Sequence, residues 1–248
     1  MFLELKFSSK ELKKSTCVNI IIPEAVGQTF KTLWLLHGLS DDNTAWMRKS
    51  LIERYANEYN LAVVMPSVDR SWYTNTAYGV NYFNYVAYEL PALMRSRFIG
   101  YSDERGDNIV AGLSMGGYGA LKLALTCPTQ YGSCVVLSGS LDVTRKGRKY
   151  NIDEWRSIFG YNINDAKDLE GSEHDLFALA RKNSEARLPF PKLYMWCGTE
   201  DTLIGINQQY DELLTTLGVA HLFESGEGDH TWKWWDIHIK DGLKYILG

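Results

Sequence analysis

Within the 248-residue chain, Asn108-Ile109-Val110-Ala111-Gly112-Leu113-Ser114-Met115-Gly116-Gly117-Tyr118-Gly119-Ala120 sets a serine at the centre of a G-x-S-x-G pattern. An apolar run precedes it, and a helical pattern that stops before Pro128 follows. This context fits a sharp strand-turn-helix elbow: the serine is forced toward a strained backbone conformation, and the residues two before and two after must be tiny because the chain folds back there. Gly112 and Gly116 meet that demand, and Gly117 and Gly119 would let the helix pack close to a sheet. A phosphate-binding loop needs Lys and Ser/Thr after the second glycine of G-x-x-x-x-G, but Tyr118 and Gly119 follow Gly117. A dinucleotide fingerprint fails as well, because Gly117-Tyr118-Gly119 runs into Ala120, Leu121 and Lys122. The remaining alternative is a packing turn without chemistry, which the flanking strand and helix disfavour, so Ser114 is the candidate nucleophile.

A serine hydroxyl is a weak nucleophile near neutral pH and needs a base held by a carboxylate. For an elbow of this type the chain order is Ser, then Asp or Glu, then His. Of the five histidines, His37 precedes the elbow, His174 lies in a charged stretch, His221 starts the last strand and His238 falls inside the terminal helix. Only His230 occupies a loop, Ser225-Gly226-Glu227-Gly228-Asp229-His230, between the last strand and the last helix, and it is the candidate base. Asp201 follows an apolar run through Cys197-Gly198-Thr199-Glu200, a turn that would present an acid at the sheet's edge. Asp142, after Val135-Val136-Leu137-Ser138, is the second choice; Glu200 should point elsewhere and Asp229 should shape its loop. A tetrahedral intermediate also needs two aimed N–H donors. One is expected from Met115, at a helix N-terminus where the macrodipole favours negative charge. The other is expected from Leu39 in His37-Gly38-Leu39-Ser40-Asp41-Asp42, where Gly38 permits close approach and His37 braces the loop.

The elements that must position these groups are legible in the hydrophobic rhythm. Leu3, Leu5 and Phe7 alternate with Glu4 and Lys6, and Thr16 to Ile22 ends at Pro23, so an N-terminal antiparallel strand pair is expected. Short apolar runs follow at Leu33 to Leu36, Leu61 to Met65, Ile109 to Ala111, Val135 to Leu137 and Leu193 to Trp196, which suits strands buried on both faces of a parallel sheet. Helical patterns separate them at about Lys49 to Tyr59, Val80 to Phe98, Gly116 to Leu125, Thr202 to Leu217 and Trp232 to Ile246. The alternation predicts an α/β fold, mostly parallel, with helices on both faces. Residues 1–248 read as one domain, with a polar insertion at about 141–188 over the strands' carboxyl ends, where open sheets place ligand sites.

Composition narrows the function. The 26 Lys+Arg against 30 Asp+Glu give a net charge of −4 and no broad attraction for nucleic acid or anionic lipid. No apolar run approaches the roughly 18 residues of a spanning helix, and Glu4 and Lys6 interrupt the start of the chain before any signal-like apolar region, so a cytoplasmic protein without membrane association is expected. Cys17, Cys127, Cys134 and Cys197 form no C-x-x-C pair and read as buried free thiols, with neither disulfide framework nor metal site. Tyr78, Tyr82 and Tyr85 share a helical spacing that suits core packing, and Arg145, Lys146, Arg148 and Lys149 suit a solvated basic face. Trp46, Trp72, Tyr73, Trp232, Trp234 and Trp235 are the aromatics placed for substrate contact, with packing as the competing use of each. Trp46, Trp72 and Trp232 are the candidate substrate-binding residues.

Taken together, Leu35-Leu36-His37-Gly38-Leu39-Ser40, Asn43-Thr44-Ala45-Trp46, the Gly112–Ala120 segment, Cys197-Gly198-Thr199-Glu200-Asp201 and Gly228-Asp229-His230-Thr231-Trp232 resemble the esterase D family of α/β-hydrolase serine esterases, over nearly the whole chain. The branch of bacterial tributyrin and acetyl esterases looks nearest, since Ser40-Asp41-Asp42-Asn43-Thr44-Ala45-Trp46 replaces the Leu-Thr-Cys type of sequence expected among S-formylglutathione hydrolases. The resemblance implies an α/β-hydrolase fold, a Ser114–Asp201–His230 triad, an oxyanion hole at Leu39 and Met115, a small-molecule ester substrate, no cofactor, and homo-oligomers of the kind relatives form. The short insertion without a large hydrophobic lid adds the expectation of a shallow site for short acyl chains. Thioesterase or acyltransferase chemistry with the same triad, and a catalytically silent binding module on the same fold, are the alternatives.

Overall fold

Alternation at the N-terminus builds β1 (Phe2–Ser9), in which Leu3, Leu5 and Phe7 are half-buried and Glu4 and Lys6 face solvent. The computed structural model describes residues 1–24, 29–145 and 151–248. β1 pairs antiparallel with β2 (Lys14–Ile21), and β2 pairs antiparallel with β4 (Leu61–Pro66), which lies parallel beside β3 (Lys31–Leu36). From β3 the sheet continues in parallel through β5 (Asn108–Leu113), β6 (Ser133–Leu137), β7 (Lys192–Gly198) and β8 (His221–Gly226), in the order β1-β2-β4-β3-β5-β6-β7-β8. This is the mostly parallel α/β sheet with an antiparallel N-terminal pair that the sequence predicts.

Successive side chains of a strand point to opposite faces, and that rule divides the core in two. Leu33, Leu35, Ile109, Ala111, Val135 and Leu137 pack under α1 (Ala45–Lys49), α2 (Ile52–Glu58) and α9 (Trp232–Leu247). Trp34, Leu36, Val110, Cys134, Val136 and Met195 face the opposite layer, which holds α3 (Tyr82–Asn84), a π-helical turn over Tyr85–Glu89, α4 (Leu90–Arg97), α5 (Met115–Thr126), α6 (Ile152–Phe159), α7 (Leu176–Glu185) and α8 (Ile204–Thr216). Segment 151–188 supplies α6, a 3-10 turn at Ala166–Leu169 and α7.

Four local expectations are corrected. The helix expected from Lys49 to Tyr59 is two helices, because Ser50 is extended and its hydroxyl donates to Trp46 O at 2.5 Å while accepting from Ile52 N at 3.3 Å. Tyr78 is 48% exposed, unlike buried Tyr82 and Tyr85. It precedes the helix, in a turn closed by Thr76 N to Val80 O at 2.9 Å. Gly119 serves a ring and not the sheet, since a Cβ there would lie 2.3 Å from the Tyr73 ring. Of the four cysteines, all free, Cys17 is only half-buried. Within the basic cluster, Arg145 is exposed, whereas Lys146, Arg148 and Lys149 lie outside the described residues.

One buried lysine ties segment 151–188 to α5. Lys122 on α5 is 4% exposed; its Nζ donates to Thr74 Oγ1 at 2.6 Å and to His174 Nδ1 at 3.1 Å. Burial pushes the lysine down to about 7 and, with Lys122 adding to it, pushes His174 down to about 3, so the imidazole accepts as a neutral ring. Because the folded lysine titrates below its ordinary 10.5, the unfolded chain binds more protons between about pH 7 and 10.5, and the Lys122 contribution to stability must rise with pH through that window. Unfolding free energies from urea melts should show wild type gaining on Lys122→Met by on the order of 2–4 kcal/mol between pH 7 and 10. A constant difference would mean that Lys122 keeps its proton in the fold up to its ordinary range.

Candidate active site

β5 runs straight into α5, and Ser114 between them has φ +53° and ψ −116°, a conformation that costs a non-glycine residue about 1–3 kcal/mol. The turn is enforced by its neighbours: a Cβ on Gly112 would lie 2.3 Å from Gly116 O, and one on Gly116 would lie 2.4 Å from Leu36 O. Ser114 N donates to Leu137 O at 2.9 Å, and Ser114 O accepts from Ser140 N at 3.1 Å, which clamps the elbow to the loop after β6. Its hydroxyl is thereby held above the carboxyl ends of the parallel strands.

His230 arrives from the β8–α9 loop. Its Nδ1 lies 2.8 Å from Asp201 Oδ2 and its Nε2 3.0 Å from Ser114 Oγ. With Nδ1 protonated and donating to the carboxylate, Nε2 is left as the acceptor of the serine hydroxyl. The loops carrying Asp201 and His230 are stitched together: Thr199 N donates to Gly226 O at 2.8 Å, Glu200 N to Gly228 O at 2.9 Å, and Gly228 N to Glu200 Oε2 at 2.6 Å. Glu200 thus points away from the imidazole, and Asp229 accepts from Thr231 Oγ1 at 2.6 Å, shaping its own loop. Asp142 caps Thr144, accepting from its N at 2.8 Å and its Oγ1 at 2.7 Å.

Asp201 is 2% exposed. Burial would push its carboxyl up, but the His230 ring, the Leu203 N–H at 2.8 Å and the Ser138 hydroxyl outweigh burial and hold it below the ordinary value. Ser138, at φ +46°, is a component that inspection of the sequence passes over. Its oxygen accepts from Trp235 Nε1 at 3.1 Å, so its proton is free to serve the carboxylate, and Trp235 in turn sets its edge against the His230 ring with centroids 4.8 Å apart. The only sequence trace of this network is a serine directly after a buried strand, a weak signal.

The loop after β3 lies against the elbow. A Cβ on Gly38 would lie 2.6 Å from Leu113 Cδ1 and 3.7 Å from Ser114 Cβ, so a larger residue there would displace the Leu113 side chain beside the elbow. Leu39 follows it, 37% exposed, and Met115 opens α5. Among the described residues neither the Leu39 nor the Met115 amide N–H has a hydrogen-bond partner. His37 braces the loop from beneath: Nδ1 donates to Gly38 O at 2.8 Å and Nε2 accepts from Val68 N at 3.0 Å, and burial holds the ring neutral.

The candidate substrate aromatics separate. Trp46 is 1% exposed, with its N–H given to Leu36 O at 3.0 Å, and is interior packing and not a contact surface. Trp72 is buried, edge-on to Tyr118 and Trp155 at 5.5 and 5.3 Å. Trp232 is half-buried between Trp46 at 4.9 Å and the Lys49 ammonium at 5.1 Å. Among the described residues no group of three or more His, Cys, Asp or Glu is arranged to hold a metal ion, and no helix is long and apolar enough to cross a membrane.

A parallel sheet of this order with a serine at the β5 elbow defines the α/β-hydrolase class. The Esterase family model, described as "Putative esterase", matches residues 9–246. The chain is 30% identical to an acetyl esterase of Caldicellulosiruptor saccharolyticus over 98% of its own length and 97% of that protein's. Two Staphylococcus aureus structures superpose over the whole chain at 35% identity: the fluorophosphonate-binding serine hydrolase FphF, with its substrate bound (TM-score 0.92, 98% of that chain), and the S-formylglutathione hydrolase FrmB (TM-score 0.90, 99% of that chain). An Agrobacterium tumefaciens S-formylglutathione hydrolase, at 21% identity and TM-score 0.84, shares the fold. The chain belongs to the Esterase family and is a serine carboxylic ester hydrolase.

Proposed function

We propose that this protein hydrolyses short-chain acyl esters, of the acetyl or tributyrin type, through Ser114, His230 and Asp201 and a covalent acyl-enzyme. The observation that carries this reading is the single imidazole placed between a serine hydroxyl at 3.0 Å and a buried carboxylate at 2.8 Å. Ser114 Oγ adds to the ester carbonyl as its proton passes to His230 Nε2, and the carbonyl oxygen takes the negative charge. In this reading the Leu39 and Met115 amides donate to that oxyanion, and the α5 N-terminus adds its dipole. Collapse expels the alcohol, which takes the proton from His230. Water, deprotonated by the same ring, then adds to the acyl-Ser114 ester, and the carboxylic acid leaves as the proton returns to Ser114. Asp201 keeps the imidazole in the required tautomer and stabilises its charged form. All of this chemistry runs on one domain, residues 1–248, without a metal or organic cofactor.

Similarity to the Caldicellulosiruptor acetyl esterase supports a short acyl group. A second reading, thioester hydrolysis, draws on the similarity to Staphylococcus aureus FrmB and uses the same residues. Turnover of p-nitrophenyl esters from acetate to decanoate, beside S-formylglutathione, tests both, and intact-mass spectra after a rapid acid quench detect the acyl adduct. Highest kcat/KM on acetate or butyrate, with an adduct that disappears in Ser114→Ala, is the expected result. A preference for decanoate would overturn the short-chain reading, and an adduct on another residue would overturn the nucleophile.

A further inference from the structure

The loop that presents Leu39 is held at three points by the segment following β4, the first being the Val68 N–H on His37 Nε2. That segment holds Asp69, Trp72 and Tyr73 all at φ near +50°. Non-glycine residues persist in such conformations only where their surroundings over-determine them. Here Tyr73 OH donates to His37 O at 2.8 Å, supporting the Leu39 loop from beneath. From outside, Arg70 Nη1 donates to Ser40 Oγ at 3.0 Å, and Ser40, the residue directly after Leu39, is at φ +70°. The same guanidinium grips Glu154 of α6 with two bonds, Nε to Oε1 at 2.5 Å and Nη2 to Oε2 at 3.1 Å. A planar fork engaged in this way fixes direction as well as distance. On the far side of the loop, Lys49 Nζ holds Asp41 at 3.1 Å.

We propose that Arg70 is a positioning residue that couples α6 of the insertion to the oxyanion-binding loop, so that the seating of α6 sets where the Leu39 N–H points. The inference rests on the Ser114 and Leu39 reading above. An isolated exposed ion pair contributes little to stability, so the pair's value lies in geometry: an oxyanion donor displaced by a fraction of an ångström loses transition-state stabilisation without weakening ground-state binding. A loss in kcat with KM nearly unchanged is the signature.

Kinetics on p-nitrophenyl acetate for Arg70→Ala, Glu154→Ala, the double variant and Ser40→Ala test this, with melting temperatures as the check on folding. Arg70→Ala and Ser40→Ala should each lower kcat about 10-fold with KM within about two-fold. Glu154→Ala should lose less, and the double variant should be no worse than Arg70→Ala, because the two residues act as one unit. A trifluoromethyl ketone, which forms a tetrahedral adduct on the serine, should bind Arg70→Ala more weakly by the same factor as the loss in kcat/KM. Arg70→Ala with kcat within two-fold of wild type, or single losses that multiply in the double variant, would overturn the coupling. Failure of the underlying reading would show separately, as turnover surviving in Ser114→Ala.

Discussion

Alanine at position 114 is expected to lower kcat on p-nitrophenyl acetate by about 10⁴-fold or more, leaving a residual rate from the oxyanion donors and substrate binding alone. The expectation follows from placement: Ser114 Oγ is the hydroxyl within reach of His230 Nε2, and both flanking glycines are consumed in aiming it. A companion variant separates chemistry from strain. Alanine retains the Cβ and so the cost of φ +53°, whereas Ser114→Gly relieves it and incurs only the greater freedom of glycine in the unfolded chain. Ser114→Gly should therefore be more stable than Ser114→Ala by about 1 kcal/mol, measured by urea denaturation, while both are equally inactive. Turnover surviving in both would dismiss this serine as the nucleophile, and an alanine variant more stable than the glycine one would dismiss the strain.

The parts of the fold legible in the sequence obey short-range rules. Period-2 burial marks β1, and uniformly apolar runs mark β3 to β7, because every second side chain faces a different core cluster and both clusters are buried. The elbow is legible for the same reason: Gly112 and Gly116 answer a clash that is local to five residues. Convergence of Ser114, His230 and Asp201 follows from chain order once the sheet is parallel, since each then leaves a strand at the same edge.

Where sequence reading falls short, the deciding partner is remote. Trp46 looks available for substrate until Leu36 O takes its N–H, and Tyr78 matches a helical spacing that a turn interrupts before the helix begins. Ser138 with Trp235 and Arg70 with Glu154 join positions 97 and 84 residues apart through side-chain pairs that leave no periodic trace. The Lys122–His174 bond is equally silent, because a lysine on an otherwise apolar helix reads as an exposed residue until His174, 52 residues further on, covers it. These links share a character: each fixes the orientation of a loop or helix that the hydrophobic pattern only places.

Asp201→Asn should be the second severe lesion, and the Leu203 amide explains why it would exceed the loss of one charge. Asp201 Oδ1 already accepts from Leu203 N at 2.8 Å while Oδ2 meets His230 Nδ1. An asparagine must keep its oxygen toward the Leu203 N–H and turn its NH₂ to the imidazole, which makes Nδ1 the acceptor and leaves the proton on Nε2. The base then faces Ser114 with its lone pair on the wrong nitrogen. A fall in kcat of about 10³–10⁴-fold with little change in KM is expected. Asp142→Asn, at a side chain that caps Thr144, should stay within about three-fold. The same carboxylate sets a stability signature. Because His230, Leu203 and Ser138 hold it below its ordinary 3.8, its ionised form stabilises the fold above that pH and the contribution is lost as pH falls through the folded value. The stability gap between wild type and Asp201→Asn should therefore narrow on acidification from pH 6 to pH 3 in urea melts. Comparable activity in Asp201→Asn, or a deep loss in Asp142→Asn, would move the orienting acid from β7 to β6.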